Sequence, residues 1–145
     1  MIASYQGYEI SDDKNRLDVD VIHAFLVQSY WAAGIPRGVV ERAIEGALCI
    51  GVYHSGRQVG FARVITDSAT FAYLTDVFVL EGHRGKGLAR EMLRVAFAQP
   101  QLQGLRRFML ATRDAHRLYE EFGFTALSQP DRIMERLNPD VYRAS

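Results

Sequence analysis

The sequence predicts an α+β domain with a mixed, mostly antiparallel central sheet and helices on both faces. Three observations lead there. The run from about Phe71 to Leu80 is apolar on both sides of its alternation, with Phe71, Tyr73, Val77 and Val79 on one side and Ala72, Leu74 and Phe78 on the other. A strand of that kind lies inside a sheet covered on both faces. Three strand-like runs between Leu48 and Leu80 follow one another through tight turns, which makes an antiparallel meander. Helical periodicities precede the strands and interrupt them, so the strand directions are mixed.

The elements follow in order. Tyr8 to Ser11 reads as a short first strand and Asp12–Arg16 as a polar turn. From Leu17 to Ala33 the apolar residues Val21, Ile22, Phe25 and Leu26 fall near one helical face, with Asp18 or Asp20 at its start. Gly34-Ile35-Pro36 ends that helix. A second helix runs from Pro36 to Glu45, its proline in the first turn. Leu48 to Tyr53 is a strand, His54-Ser55-Gly56-Arg57 its turn, and Gln58 to Thr66 its partner. After the Phe71–Leu80 strand a helix covers 87–98. Arg106 to Thr112 is a strand, Ala115 to Phe122 a short helix stopped by Gly123, and Phe124–Leu127 and Ile133–Leu137 are two short closing strands.

Bulk properties narrow the function. A chain of 145 residues forms one domain, 1–145, and buries roughly two-thirds of its unfolded surface. Seventeen basic and seventeen acidic residues balance to zero formal charge, which argues against a general nucleic-acid binder. The single cysteine, Cys49, has no internal partner, which fits a reducing cytoplasm. No signal pattern or membrane-length apolar run is present. No set of histidine, cysteine and carboxylate residues has metal-ligand spacing, so no metal is expected.

Chemistry concentrates where the central strand ends. Glu81-Gly82-His83-Arg84-Gly85-Lys86-Gly87 carries three glycines and three basic side chains, and the helix of Leu88, Ala89, Met92 and Leu93 begins at once. Uncapped helical N–H groups and a dipole's positive end await an anion there, and glycines let it approach the backbone. A Walker loop needs serine or threonine after Gly-Lys, where Gly87 stands. A dinucleotide fingerprint needs a third glycine, where Arg90 stands.

Arg84-Gly85-Lys86-Gly87-Leu88-Ala89 instead resembles the Arg/Gln-x-x-Gly-x-Gly/Ala pyrophosphate loop of the GNAT superfamily of N-acetyltransferases. A second segment, Asp114-Ala115-His116-Arg117-Leu118-Tyr119-Glu120-Glu121-Phe122-Gly123-Phe124, is similar to that family's Asn-x-x-Ala-x-x-x-Tyr-x-x-x-Gly-Phe. It departs at Asp114, where the family often has asparagine, and at Ala115, which sits early. The order of elements is also similar, from roughly Tyr8 to Leu137.

The resemblance implies acetyl-CoA as co-substrate and direct transfer to a primary amine of a small molecule or peptide. The cradle would be Arg84, Gly85, Lys86, Gly87, Leu88 and Ala89. Backbone groups of Val77, Phe78 or Val79, best Val79, would meet the pantetheine and thioester, and Asp114 would stand near the pantetheine arm. Tyr119 would be the general acid towards the leaving thiolate. Asp76 and Glu81 are candidates for the base, although Asp76 also suits an ion pair with an arginine such as Arg63. Tyr30 and Trp31 could border an amine pocket through cation–π contact. A homodimer is common in the family. The competing reading is a non-catalytic acyl-CoA-binding sensor with the same fold.

Overall fold

The computed structural model describes residues 2–143. One sheet of six strands forms the middle layer: β1 (Ile2–Tyr5), β2 (Tyr8–Ser11), β3 (Leu48–His54), β4 (Arg57–Thr66), β5 (Phe71–Val79) and β6 (Arg107–Leu110). Strand order follows sequence order. Every neighbour is antiparallel except β5 and β6, which run parallel. Parallel strands need a crossover, and the helix α3 (Leu88–Phe97) supplies it.

Helices cover both faces, as the doubly apolar β5 requires. On one face α3 buries Leu88, Met92, Leu93, Val95 and Ala96 against Ile10, Ile50, Val52, Ala72 and Leu74. On the other, α1 (Val19–Leu26) and α2 (Arg37–Glu45) bury Ile22, Leu26, Val40 and Ile44 against Cys49, Phe61 and Phe78. Asp18 caps α1, accepting from the N–H groups of Asp20 and Val21, a preferred way to satisfy orphan helical donors.

Four expectations are corrected. A first strand, β1, precedes Tyr8 and forms a hairpin with β2 through Gln6 and Gly7, both at positive φ. The first helix stops at Leu26 rather than Ala33, because the Ser29 hydroxyl donates to Leu26 O and accepts from Ala32 N–H, turning the chain. The last helix, α4, is only His116–Glu120. Phe124–Leu127 and Ile133–Leu137 are not strands: residues 125–140 are exposed throughout and pair with no strand among the described residues.

The strand β5 also changes face partway. Phe61 pairs with Phe78 and Arg63 with Thr75, so Ala62 stands opposite both Asp76 and Val77. This is a β-bulge, two residues against one. Asp76 sits in the left-handed region, φ +55, which aspartate tolerates better than most residues. One extra residue reverses the alternation, so Val79 joins Ala72 and Leu74 under α3 while Phe78 faces α1.

Candidate active site

The site begins where β5 and β6 part. They pair over four residues, ending at Leu74 opposite Leu110. Beyond that point a cavity of about 430 Å³ opens between them, lined by Thr75, Asp76, Val77, Ala111, Thr112, Asp114 and Tyr119, with Tyr30 and Trp31 on one side. The N–H of Leu80 donates to Val59 O on β4 at 2.8 Å. Successive strand residues point their backbone groups to alternate edges, so Phe78 is turned to β4 and Val79 presents its N–H to the gap.

A second cavity, about 300 Å³, lies at the end of β5, lined by Val79, His83, Arg84, Gly85, Gly87, Leu88, Ala89, Arg90 and Leu118. Gly85 and Gly87 have φ of +77 and +79, conformations that cost a glycine little. Gly87 is the N-cap of α3, and no side chain caps that end. The first N–H groups of α3 therefore lack helical acceptors and open on this cavity.

The basic side chains of the loop are each held. Arg84 Nε donates to Val79 O at 2.8 Å. Arg90 pairs with Glu121, Nε to Oε2 at 2.9 Å. Lys86 points out of the cavity to the β1–β2 hairpin, its Nζ 3.4 Å from the Tyr8 hydroxyl. That hairpin clamps the loop: the Tyr5 hydroxyl donates to Lys86 O at 2.8 Å, and the Tyr8 hydroxyl lies 2.8 Å from His83 Nδ1. Sequence reading missed Tyr5 and Tyr8, since each meets the loop from at least 75 residues away.

Tyr119 is buried on α4, and burial, reinforced by Tyr30 and Asp114, raises its hydroxyl pKa. It lines the gap cavity beside Asp114, whose exposed carboxylate is 3.7 Å from Arg113. Asp76 is buried with both oxygens engaged: Arg63 Nε donates to Oδ2 at 2.8 Å and Trp31 Nε1 to Oδ1 at 2.7 Å. Trp31 thus holds a carboxylate, while Arg113 lies over the Tyr30 ring, 4.0 Å from its centroid. Glu81 is exposed in a single 3-10 turn and lines neither cavity.

The chain is similar to known proteins. A family model described as "Acetyltransferase (GNAT) family" matches residues 15–124. The chain is 36% identical over 135 residues to a Gibberella zeae protein named "Putative acetyltransferase FG08082", covering 77% of this chain and 75% of that one. It is 50% identical to a crystal structure from Xanthomonas campestris pv. campestris belonging to the GNAT family, with a TM-score of 0.92 over 96% of this chain and 99% of the other. Glucosamine-6-phosphate N-acetyltransferase from Arabidopsis thaliana shares the fold at a TM-score of 0.63 and 14% identity, over 90% of this chain and 97% of that one.

Proposed function

Because this chain belongs to the GNAT acetyltransferase family, we propose that it moves an acetyl group from acetyl-CoA directly to a primary amine of a small molecule or peptide. The observation that carries this reading is that the two cavities follow one another along the same elements, Val77 and Tyr119 lining one and Val79 and Leu118 the other. The uncapped start of α3 and the parted end of β5 both present backbone N–H groups, with Tyr119 and Leu118 of α4 beside them.

The residues present fit the co-substrate. The left-handed glycines and free helical N–H groups suit a pyrophosphate, and a side chain at Gly85 would project into open space rather than into protein. Acetyl-CoA, when bound, supplies an activated thioester. Val79 N–H would donate to its carbonyl oxygen as negative charge develops there. Tyr119, kept protonated by burial, gives its proton to the departing thiolate. Holding thioester and amine in one gap lowers the entropic cost of their encounter.

Direct transfer is favoured over a cysteine-bound intermediate by Cys49. Its thiol is buried on the α1–α2 face, pushed up to about 11 by desolvation, and lines neither cavity of the site. A thiol held neutral is a poor nucleophile. With both oxygens of Asp76 engaged and Glu81 outside the cavities, the amine's proton leaves through water.

Calorimetric titration with acetyl-CoA and with CoA tests the donor half; one site per chain for each is expected. Gly87→Val should weaken both at least about tenfold, a loss of roughly 1.4 kcal/mol, because a Cβ there lies 2.9 Å from the Tyr5 hydroxyl at φ +79. Equal affinity in the variant would refute the cradle. Thiol release with a panel of amines tests the acceptor half; donor binding without release under any amine would instead support the sensor reading.

A further inference from the structure

The gap between β5 and β6 has a buried end and an open rim. Tyr119 lies at the buried end, and Tyr30, Arg113 and Asp114 are exposed at the rim. Three charged side chains line the gap: Asp76, Arg113 and Asp114. Asp76 is spent, since Arg63 and Trp31 hold both of its oxygens. Arg113 is therefore the one cation lining the gap among the described residues.

Arg113 is held in place without being used. Two separately anchored loops meet there. The Ser29 turn delivers Tyr30 to the rim. Thr112 Oγ1 accepts from Ala115 N–H at 3.0 Å and fixes the chain between β6 and α4. The Arg113 guanidinium lies over the Tyr30 ring, 4.0 Å from its centroid. Stacking engages the face of a guanidinium and leaves its N–H edges open. Those edges donate to no described residue. The nearest carboxylate, Asp114, is 3.7 Å away, beyond hydrogen-bonding distance. The same contact overturns the expectation of a cation–π pocket for the amine at Tyr30 and Trp31. The Tyr30 ring already carries the protein's own cation, and the Trp31 N–H is committed to Asp76.

We propose that the acceptor is an amine that also bears an oxyanion, a carboxylate or a phosphate, and that Arg113 receives the oxyanion at the rim while the amine enters towards Tyr119. This deepens the acetyl-transfer reading and rests on it. A planar fork of N–H donors matches a carboxylate or phosphate with two parallel bonds. Because Arg113 spends no hydrogen bond on the described protein, the oxyanion breaks none on arrival. Steadying the fork beforehand lowers the ordering cost of binding, so Tyr30 is a positioning residue that acts through Arg113. An acceptor whose only charges are ammonium groups would meet a like charge at the rim.

Thiol release on matched pairs tests this: α-amino acids against their α-carboxamides, and phosphoethanolamine against ethanolamine. The amine of a carboxamide is the less basic, so basicity alone favours the neutral member of the amino-acid pairs. kcat/KM should favour the anionic member of one kind of pair at least about tenfold, as for a charge-assisted bond, and the kind favoured tells carboxylate from phosphate. Arg113→Ala should reduce that preference to within about twofold, mainly by raising KM, while acetyl-CoA affinity stays within about twofold. Tyr30→Phe should keep the preference and Tyr30→Leu weaken it about threefold, the loss of one exposed stacked cation. Equal kcat/KM within every pair, or a preference that survives in Arg113→Ala, would overturn the proposal. Should acetyl-CoA bind and no amine release thiol, the transfer reading fails, and calorimetric titration of the CoA-saturated protein with the same pairs decides the subsite. Anion binding that Arg113→Ala abolishes would support it; no binding, or equal binding of both members, would overturn it.

Discussion

Replacing Asp76 tests whether this residue holds the site or performs its chemistry. Its carboxylate is 8% exposed, its partner Arg63 16%. Removing one member of a buried ion pair leaves the other charge stranded, which costs about 3–5 kcal/mol. The exposed sliver of Arg63 lets water reach the guanidinium, so the lower figure, about 3 kcal/mol, applies. Trp31 is 40% exposed and recovers a water in place of Oδ1, so its lost bond adds about 0.5 kcal/mol. Alanine must also adopt φ +55, which costs about 1 kcal/mol more. Asp76→Ala should therefore lose about 4.5 kcal/mol, a large share of the roughly 5–15 kcal/mol available to a domain.

Urea unfolding followed by tryptophan fluorescence measures this, with an unchanged m-value required for the comparison. Asp76→Asn keeps an acceptor and tolerates the left-handed backbone, and should lose about 1–2 kcal/mol. Arg63→Met combined with Asp76→Ala should be less destabilised than Asp76→Ala alone, since no buried charge is left unpaired. A loss below about 1 kcal/mol in Asp76→Ala would refute the ion-pair argument, because no buried-pair penalty is that small. The pH profile of kcat/KM separates the roles. A positioning residue lowers the whole profile in Asp76→Asn, whereas loss of the acid limb alone would make Asp76 the base.

Two further perturbations address other parts of the molecule. Tyr119→Phe should lower kcat about a hundredfold, the low end for loss of a general acid, while donor affinity measured by calorimetry stays within about twofold; unchanged kcat would remove Tyr119 from the chemistry. Gly51→Ala should lower the unfolding free energy by about 1–3 kcal/mol through overpacking, because its Cβ would lie 2.4 Å from the Tyr53 hydroxyl and 2.7 Å from the ring. That hydroxyl is buried without a hydrogen-bond partner, so Tyr53→Phe at the same position of the sheet should be neutral or stabilising; a large loss in Tyr53→Phe would show a partner that the geometry does not.

What could be read from the sequence was local. The β3–β4 hairpin announces itself because Ser55 and Gly56 take the positive φ values of a tight turn, and Ser-Gly between alternating runs signals this. The glycine loop and the start of α3 are legible for the same reason: they are contiguous. The β1–β2 hairpin is only half legible, because Gln6-Gly7 is a weaker turn signal and the hairpin's contacts are with a loop more than seventy residues away. The bulge at Asp76 was invisible. A strand apolar on both faces gives no pattern to break when its register slips by one residue. Ile133–Leu137 has a strand's composition, but a strand exists only with a partner, and periodicity within one segment carries no information about which edge it meets.

The bulge connects folding to the proposed chemistry. A two-against-one bulge increases local twist and bends its strand, and β5 leaves β6 at Leu74, two residues before Asp76. The reversal of faces that follows sends Phe78 under α1, where it stacks on Phe25 at 4.1 Å, and aligns Val79 with the gap. A left-handed aspartate is unfavourable by itself; Arg63 from β4 and Trp31 from the segment after α1 hold it there. Residues on two other parts of the chain thus stabilise one irregular position, and that position lies where the gap of the proposed acyl transfer opens. Straightening β5 would give a better sheet and would close the site.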